Sequence, residues 1–204
     1  MVGILVFLFG SVSLRAQEST SVRPVTIEIR TNLLLPALNV GVEVPLGNRW
    51  SVGADWYYPW LWRKDHGAGV DYNGWCVEAL ALNLEGRYWL GKRSLENRLS
   101  GHSVGLFAMA GYYDFERNYK GLQGEFVLTG IDYLYALPLG KHVRMEFSLG
   151  LGYFYSQARE YTVYTQGGKG YKEKDMAKII QFWGPVKGNV SLVFPIYAKK
   201  GGAK

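Results

Sequence analysis

The sequence predicts an all-β chain, an eight-stranded antiparallel up-and-down transmembrane β-barrel. Three observations carry that expectation. Eight segments alternate residue by residue between an apolar set and a polar or small set, the period of a strand with two unlike faces. Several segments are about twice the roughly 5–6 residues usual for strands in water, and ~9–11 tilted residues cross a bilayer as β-structure. Aromatic residues gather toward the ends of the apolar faces, while charges of both signs sit on the opposite faces.

The clearest segment is Pro138 to Ser156. It opens on the turn signal Pro138-Leu139-Gly140-Lys141. Val143, Met145, Phe147, Leu149, Leu151, Tyr153 and Tyr155 then alternate with His142, Arg144, Glu146, Ser148, Gly150, Gly152 and Phe154. The others follow the same rule. Val25 to Leu34 sets Val25, Ile27, Ile29, Thr31 and Leu33 against Thr26, Glu28, Arg30 and Asn32, and Pro36 ends it. Leu38 to Pro45 opposes Leu38, Val40, Val42 and Val44 to Asn39, Gly41 and Glu43; Gly47-Asn48-Arg49 turns the chain. Trp50 to Trp60 opposes Trp50, Val52, Ala54, Trp56, Tyr58 and Trp60 to Ser51, Gly53, Asp55 and Tyr57. Arg63 to Gly74 reads as a polar loop.

Trp75 to Leu90 carries Leu80, Leu82, Leu84, Tyr88 and Leu90 against Ala79, Ala81, Asn83, Glu85, Arg87 and Trp89. A charged connection, 91–100, leads to His102 to Asp114, where Val104, Leu106, Ala108, Ala110 and Tyr112 oppose Ser103, Gly105, Phe107, Met109 and Gly111. Glu116 to Gly121 reads as a turn. Leu122 to Leu137 carries Val127, Thr129, Ile131, Tyr133, Tyr135 and Leu137 on one face; the other, Gly124, Phe126, Leu128, Gly130, Asp132 and Leu134, is the least polar of the set. A long polar segment, 157–183, precedes Val186 to Ile196, where Val186, Val190, Leu192 and Phe194 oppose Lys187, Asn189 and Ser191. Eight is an even number, as closed bacterial outer-membrane barrels require, and short links at one end with longer ones at the other fit that class.

The N-terminus reads as a signal peptide over residues 1–16, an apolar run from Val2 to Leu14 with a cleavage site at Ala16. Residues 17–204 then form a single domain in the outer membrane. Beyond the apolar run no stretch of ~18 apolar residues follows, so no spanning helix is expected.

Alternation alone does not say which face is inside. A soluble lipocalin-like ligand-binding barrel has the same period with its apolar face inward. Three features favour lipid outside, and one is that the faces opposite the apolar ones are rich in Gly, Ser and Ala, which fit the narrow lumen of eight strands. The aromatics form two girdles, Trp50 and Tyr135 toward one rim, Trp56, Tyr58, Trp60, Tyr112, Tyr153 and Tyr155 toward the other, as expected at membrane interfaces. The other face carries Glu28, Arg30, Glu43, Asp55, Glu85, Arg87, Asp132, Arg144, Glu146 and Lys187, which a narrow lumen lets pair. On a lipid face an arginine or lysine would cost ~2–4 kcal/mol near the midplane, and a carboxylate less.

Little in the sequence points to catalysis. Cys76 stands alone, so there is no disulfide framework and no cysteine metal site. His102-Ser103 pairs a base with a nucleophile in sequence, but neighbours on a strand point to opposite faces. His66 lies near Asp65 and Asp71 in a loop, and His142 sits at a turn. No catalytic residue, metal or cofactor is assigned, and the chain is expected not to be an enzyme. The formal net charge is +6, but bases alternate with acids instead of forming a basic stripe, which points away from nucleic acid. The segment 157–183, with Tyr161, Tyr164, Lys169, Tyr171, Lys172, Lys174 and Lys178, is the candidate for outside contacts.

The signal peptide, Thr31 to Leu34 (TNLL), the run at 40–58 (VGVEVPLGNRWSVGADWYY) and the Pro138 run together resemble the DUF3575 family of Bacteroidota proteins. The turn motifs at Glu43 to Gly47 and Pro138 to Lys141 are its most specific parts. The resemblance implies an outer-membrane barrel of unknown activity that supports a surface or fimbria-type protein partner. The expected function is a non-enzymatic binding or anchoring barrel with a filled lumen, lipid outside it, and a long outer loop near 157–183. The alternatives are a barrel enzyme acting on lipid or peptide, and the soluble ligand-binding barrel.

Overall fold

The computed structural model describes residues 24–34, 38–58, 62–63, 75–94, 97–140, 142–166 and 169–198. The expected signal peptide at 1–16, the break at Pro36, Trp60 and most of the loop at 63–74 lie outside them. The described chain is all-β: β1 (Val25–Asn32), β2 (Asn39–Leu46), β3 (Trp50–Tyr57), β4 (Trp62–Arg63), β5 (Trp75–Trp89), β6 (Gly101–Arg117), β7 (Lys120–Pro138), β8 (Arg144–Gln166), β9 (Lys169–Lys174) and β10 (Lys178–Tyr197).

Every pairing is antiparallel, and β1, β2, β3, β5, β6, β7 and β8 adjoin in chain order. β10 pairs with β8 on one side and with β1 on the other, so eight strands close into a ring. Closure matters physically, because an open sheet would leave two rows of unpaired backbone groups. Following the paired residues once around the ring returns to β1 about ten residues from the start, a stagger that tilts strands by roughly 35–45°. β4 and β9 add short pairings to β5 and β8 outside the ring.

The pleat sends alternate side chains inward and outward. In β3, Ser51, Asp55 and Tyr57 are buried while Trp50, Val52 and Trp56 are exposed. The same alternation runs through β2 and β6. Gly41 shows how tight the interior is: a Cβ there would lie 2.0 Å from Asp55 Oδ1 and 2.6 Å from Arg30 Cγ.

Two connections differ from the sequence expectation. The turn expected over 116–121 shrinks to Asn118-Tyr119, both at positive φ (48° and 69°), the backbone of a two-residue hairpin matched to strand twist. The expected long loop at 157–183 is strand for most of its length: β8 continues to Gln166, β9 runs back along it, and β10 begins at Lys178. Its Tyr, Thr and Val residues suit strands, and pairing with β7 and β9 satisfies their backbone. The link 91–100 holds bends and turns, with no helical turn among its described residues.

As a result the ring is lopsided. β1, β2 and β3 have 8 residues each, whereas β6, β7, β8 and β10 have 17, 19, 23 and 20. The long strands rise as a wall above one rim. At the other rim the interior is stoppered by an apolar cluster of Val25, Trp89, Leu99, Leu134 and Ala136. Leu99 sits at φ 58°, a costly backbone for a branched residue, which its burial in this stopper offsets.

Candidate functional site

The ring interior is filled by charge. Glu28, Arg30, Glu43, Asp55, Glu85, Arg87, Asp132, Arg144, Glu146 and Lys187 are all buried, six carboxylates against four cations. They come from seven of the eight ring strands, all on inward positions. Arg30 Nε donates to Asp55 Oδ1 at 2.6 Å and Nη2 to Asp55 Oδ2 at 3.0 Å, a fork that matches a carboxylate. Arg30 also donates to Glu43. Arg87 is the hub, donating to Glu43 and Glu85 and reaching Glu146 at 3.5 Å. Lys187 Nζ bridges Glu85 Oε2 (2.6 Å) and Asp132 Oδ2 (2.7 Å), with its ammonium 4.7 Å from the Phe107 ring centroid. Arg144 pairs with Glu28 near the stoppered end.

Neutral groups complete the network. Asn83 donates to Asp55 Oδ2 at 2.9 Å, Ser51 to Glu43 Oε1 at 2.6 Å, and Trp89 Nε1 to Ser51 Oγ at 2.8 Å. Beside Arg30, Arg87 and Glu146 remains a polar cavity of about 10 Å³, room for about one water. Oxygens of Glu28, Glu43 and Glu146 lie within 4.8 Å of one another. The guanidinium groups of Arg30, Arg87 and Arg144 already occupy these carboxylates, so the chain supplies its own cations there.

The outer face is apolar. Trp50 packs edge-on against Tyr88 with centroids 4.9 Å apart, and Tyr135 lies 4.7 Å from the His102 ring, both near the stoppered rim. Trp56 and Tyr58 (6.1 Å) and Tyr153 and Trp183 (5.1 Å) lie toward the other rim, as do Tyr112 and Tyr155. Trp60 falls outside the described residues. Between the two sets run Val52, Leu84, Leu106, Ile131, Leu149 and Leu151, all exposed.

Of the residues singled out on 157–183, Tyr161 is buried in the wall, where its hydroxyl donates to Asp114 Oδ1 at 2.5 Å with Glu116 Oε2 at 3.0 Å. Tyr164, Lys174 and Lys178 are exposed. Lys169, Tyr171 and Lys172 lie on β9. His102 and Ser103 do not meet: His102 is exposed with Nδ1 2.5 Å from the Tyr133 hydroxyl, and Ser103 is fully buried inside.

Sequence reasoning missed the structure of the stoppered end. Arg93 donates to the carbonyls of Asn97 (3.1 Å) and Ser100 (2.5 Å) and also to that of Leu90, holding the link 91–100 together. Burial and the nearby Arg49 guanidinium lower the Arg93 pKa. The basic residues were legible as composition, but only folding brings the 47–49 turn beside the 91–100 link.

No curated protein and no solved structure matches the chain. A family model described as a protein of unknown function matches residues 2–196, nearly the whole sequence. The chain belongs to the DUF3575 family.

Proposed function

We propose that this chain is a transmembrane β-barrel of the bacterial outer membrane, acting without catalysis as a binding or anchoring protein for a surface structure. The observation that carries the reading is its inverted polarity. Charged side chains fill the interior, while Leu106, Leu149 and Ile131 on the outer wall are 68 %, 62 % and 61 % exposed. In water, a continuous apolar band of this kind is an aggregation surface; in a bilayer it is the solvated face. A soluble lipocalin-like barrel needs an apolar hollow, and ion pairs occupy that space here.

The closed hydrogen-bonded ring supports the same reading, because a bilayer core offers the backbone no other partners. With the stoppered rim toward the periplasm, the tall wall of β6, β7, β8 and β10 faces outward. Its upper hairpins then take the contact role in place of a loop, with a fimbria-type surface protein as the class of partner. The separation of His102 from Ser103 supports a non-catalytic role over a lipid- or peptide-cleaving barrel.

Heat-modifiable gel migration of detergent-folded protein tests the membrane reading. The expected result is a compact band that shifts on boiling; a chain that stays monomeric in water without detergent overturns it. Pull-down from intact outer membranes tests the binding role. Replacing residues 165–177 with a short turn leaves the ring pairing intact, and loss of a co-purifying surface protein is the expected result.

Planar-bilayer recordings are expected to show no stable open channel. Eight strands leave room only for side chains. Here the Arg87 network crosses the interior, and Trp89 and Leu99 stop one end. A large steady conductance would move the function toward a porin.

A further inference from the structure

We infer that the outer wall carries a site for one anionic glycerophospholipid, with an acyl chain in a groove and its phosphate at Arg49. The inference rests on the membrane reading and adds a ligand to it.

The groove lies on the wall between β3 and β8, on the half nearer the stoppered rim. Trp50, Tyr88, Val104, Leu106, Ile131 and Tyr133 line it, and its volume is about 500 Å³, inside the roughly 300–1,000 Å³ range of small-molecule sites. It exists because Gly86, an outward position on β5, has no side chain: a Cβ built there meets nothing within 4 Å. The lining is almost wholly apolar and opens sideways from the ring, so it suits a hydrocarbon chain lying along the wall.

Its mouth is cationic. Arg49 donates to the Tyr88 hydroxyl at 3.3 Å, and its guanidinium lies 5.9 Å from the Tyr88 ring centroid. His102, bonded to the Tyr133 hydroxyl, flanks the other side. Arg98 donates to Asn48 Oδ1 at 3.0 Å, and Arg93 lies close enough to Arg49 to feel its charge. Among the described residues no carboxylate pairs with Arg49, Lys92, Arg93 or Arg98, and Arg93 Nε and Arg98 Nε have no hydrogen-bond partner. The wall at the opposite end mixes Asp114, Glu116 and Glu160 with Arg117, Lys120 and Arg159. Among the described residues the groove's end therefore gathers basic side chains without a paired carboxylate, whereas the opposite end mixes both signs. An arginine fork beside an apolar groove matches a phosphate ester joined to an acyl chain.

Native mass spectrometry of the detergent-folded full chain tests the site, with phosphatidylglycerol and phosphatidylcholine of equal chain length as probes. The wild type is expected to retain phosphatidylglycerol preferentially. Arg49→Gln, at a turn outside the ring, is expected to weaken that binding roughly tenfold. Gly86→Leu is expected to lower retention of both lipids by filling the groove, and Lys178→Gln, on the far wall, to leave both unchanged. Equal retention of the two lipids by the wild type, or full retention by Arg49→Gln, overturns the inference while the heat-shifted band still stands. Loss of that band in the wild type instead sinks the membrane reading, a separate outcome.

Discussion

Arg87→Met is expected to lower stability by about 3–5 kcal/mol, the cost of removing one partner from a buried ion pair. The reason is what stays behind. Arg87 serves Glu43, Glu85 and Glu146 together, and methionine fills its volume while leaving those carboxylates short of a counter-ion inside the ring. Lys187 still holds Glu85 and Arg30 still holds Glu43, so Glu146 bears most of the loss. Arg87→Lys is expected to recover only part of it, since one ammonium cannot reproduce a planar fork spread over three acceptors. Urea titration of detergent-folded protein, read as the fraction keeping the compact band, measures the effect. A midpoint unchanged by Arg87→Met would mean that water, and not side chains, neutralises the interior.

Leu149→Arg separates lipid from water more sharply. Leu149 sits mid-band on β8, between Phe147 and Leu151, on the outer face. In a bilayer an arginine near the midplane costs ~2–4 kcal/mol. On a surface in water the same exchange stays within about 0.5 kcal/mol. Gln157→Arg provides the control, an exposed outward position on β8 beyond the aromatic belt, where a near-neutral effect is expected in either case. Comparable small effects at both positions would remove the membrane from the account.

The period-two pattern by itself determined where the ring strands lie and which residues share a face. Glu28 and Arg30, Glu85 and Arg87, and Arg144 and Glu146 are pairs two apart, so each pair stands on one side of its strand whatever the fold. Tight turns were legible too, because Gly47 at φ 75° uses a backbone that glycine adopts freely. The limit of this signal shows at 157–183. Ala158, Tyr161 and Val163 are buried there, but Tyr161 follows Ala158 by three residues, so the buried set breaks the period of two and strand looks like loop.

Only the tertiary structure decided the identity of partners. Alternation alone left the direction of the faces open, the placement of aromatics and charges favoured the charged faces inward, and closure of β10 onto β1 puts them there. It brings Arg87 to Glu43 across 44 residues and to Glu146 across 59, and Lys187 to Glu85 across 102. It likewise sets Arg49 against Tyr88 and carves the groove over Gly86. Periodicity is a property of neighbours along the chain. Charge pairing and cavities are properties of register, which the stagger of the closed ring sets for every strand together.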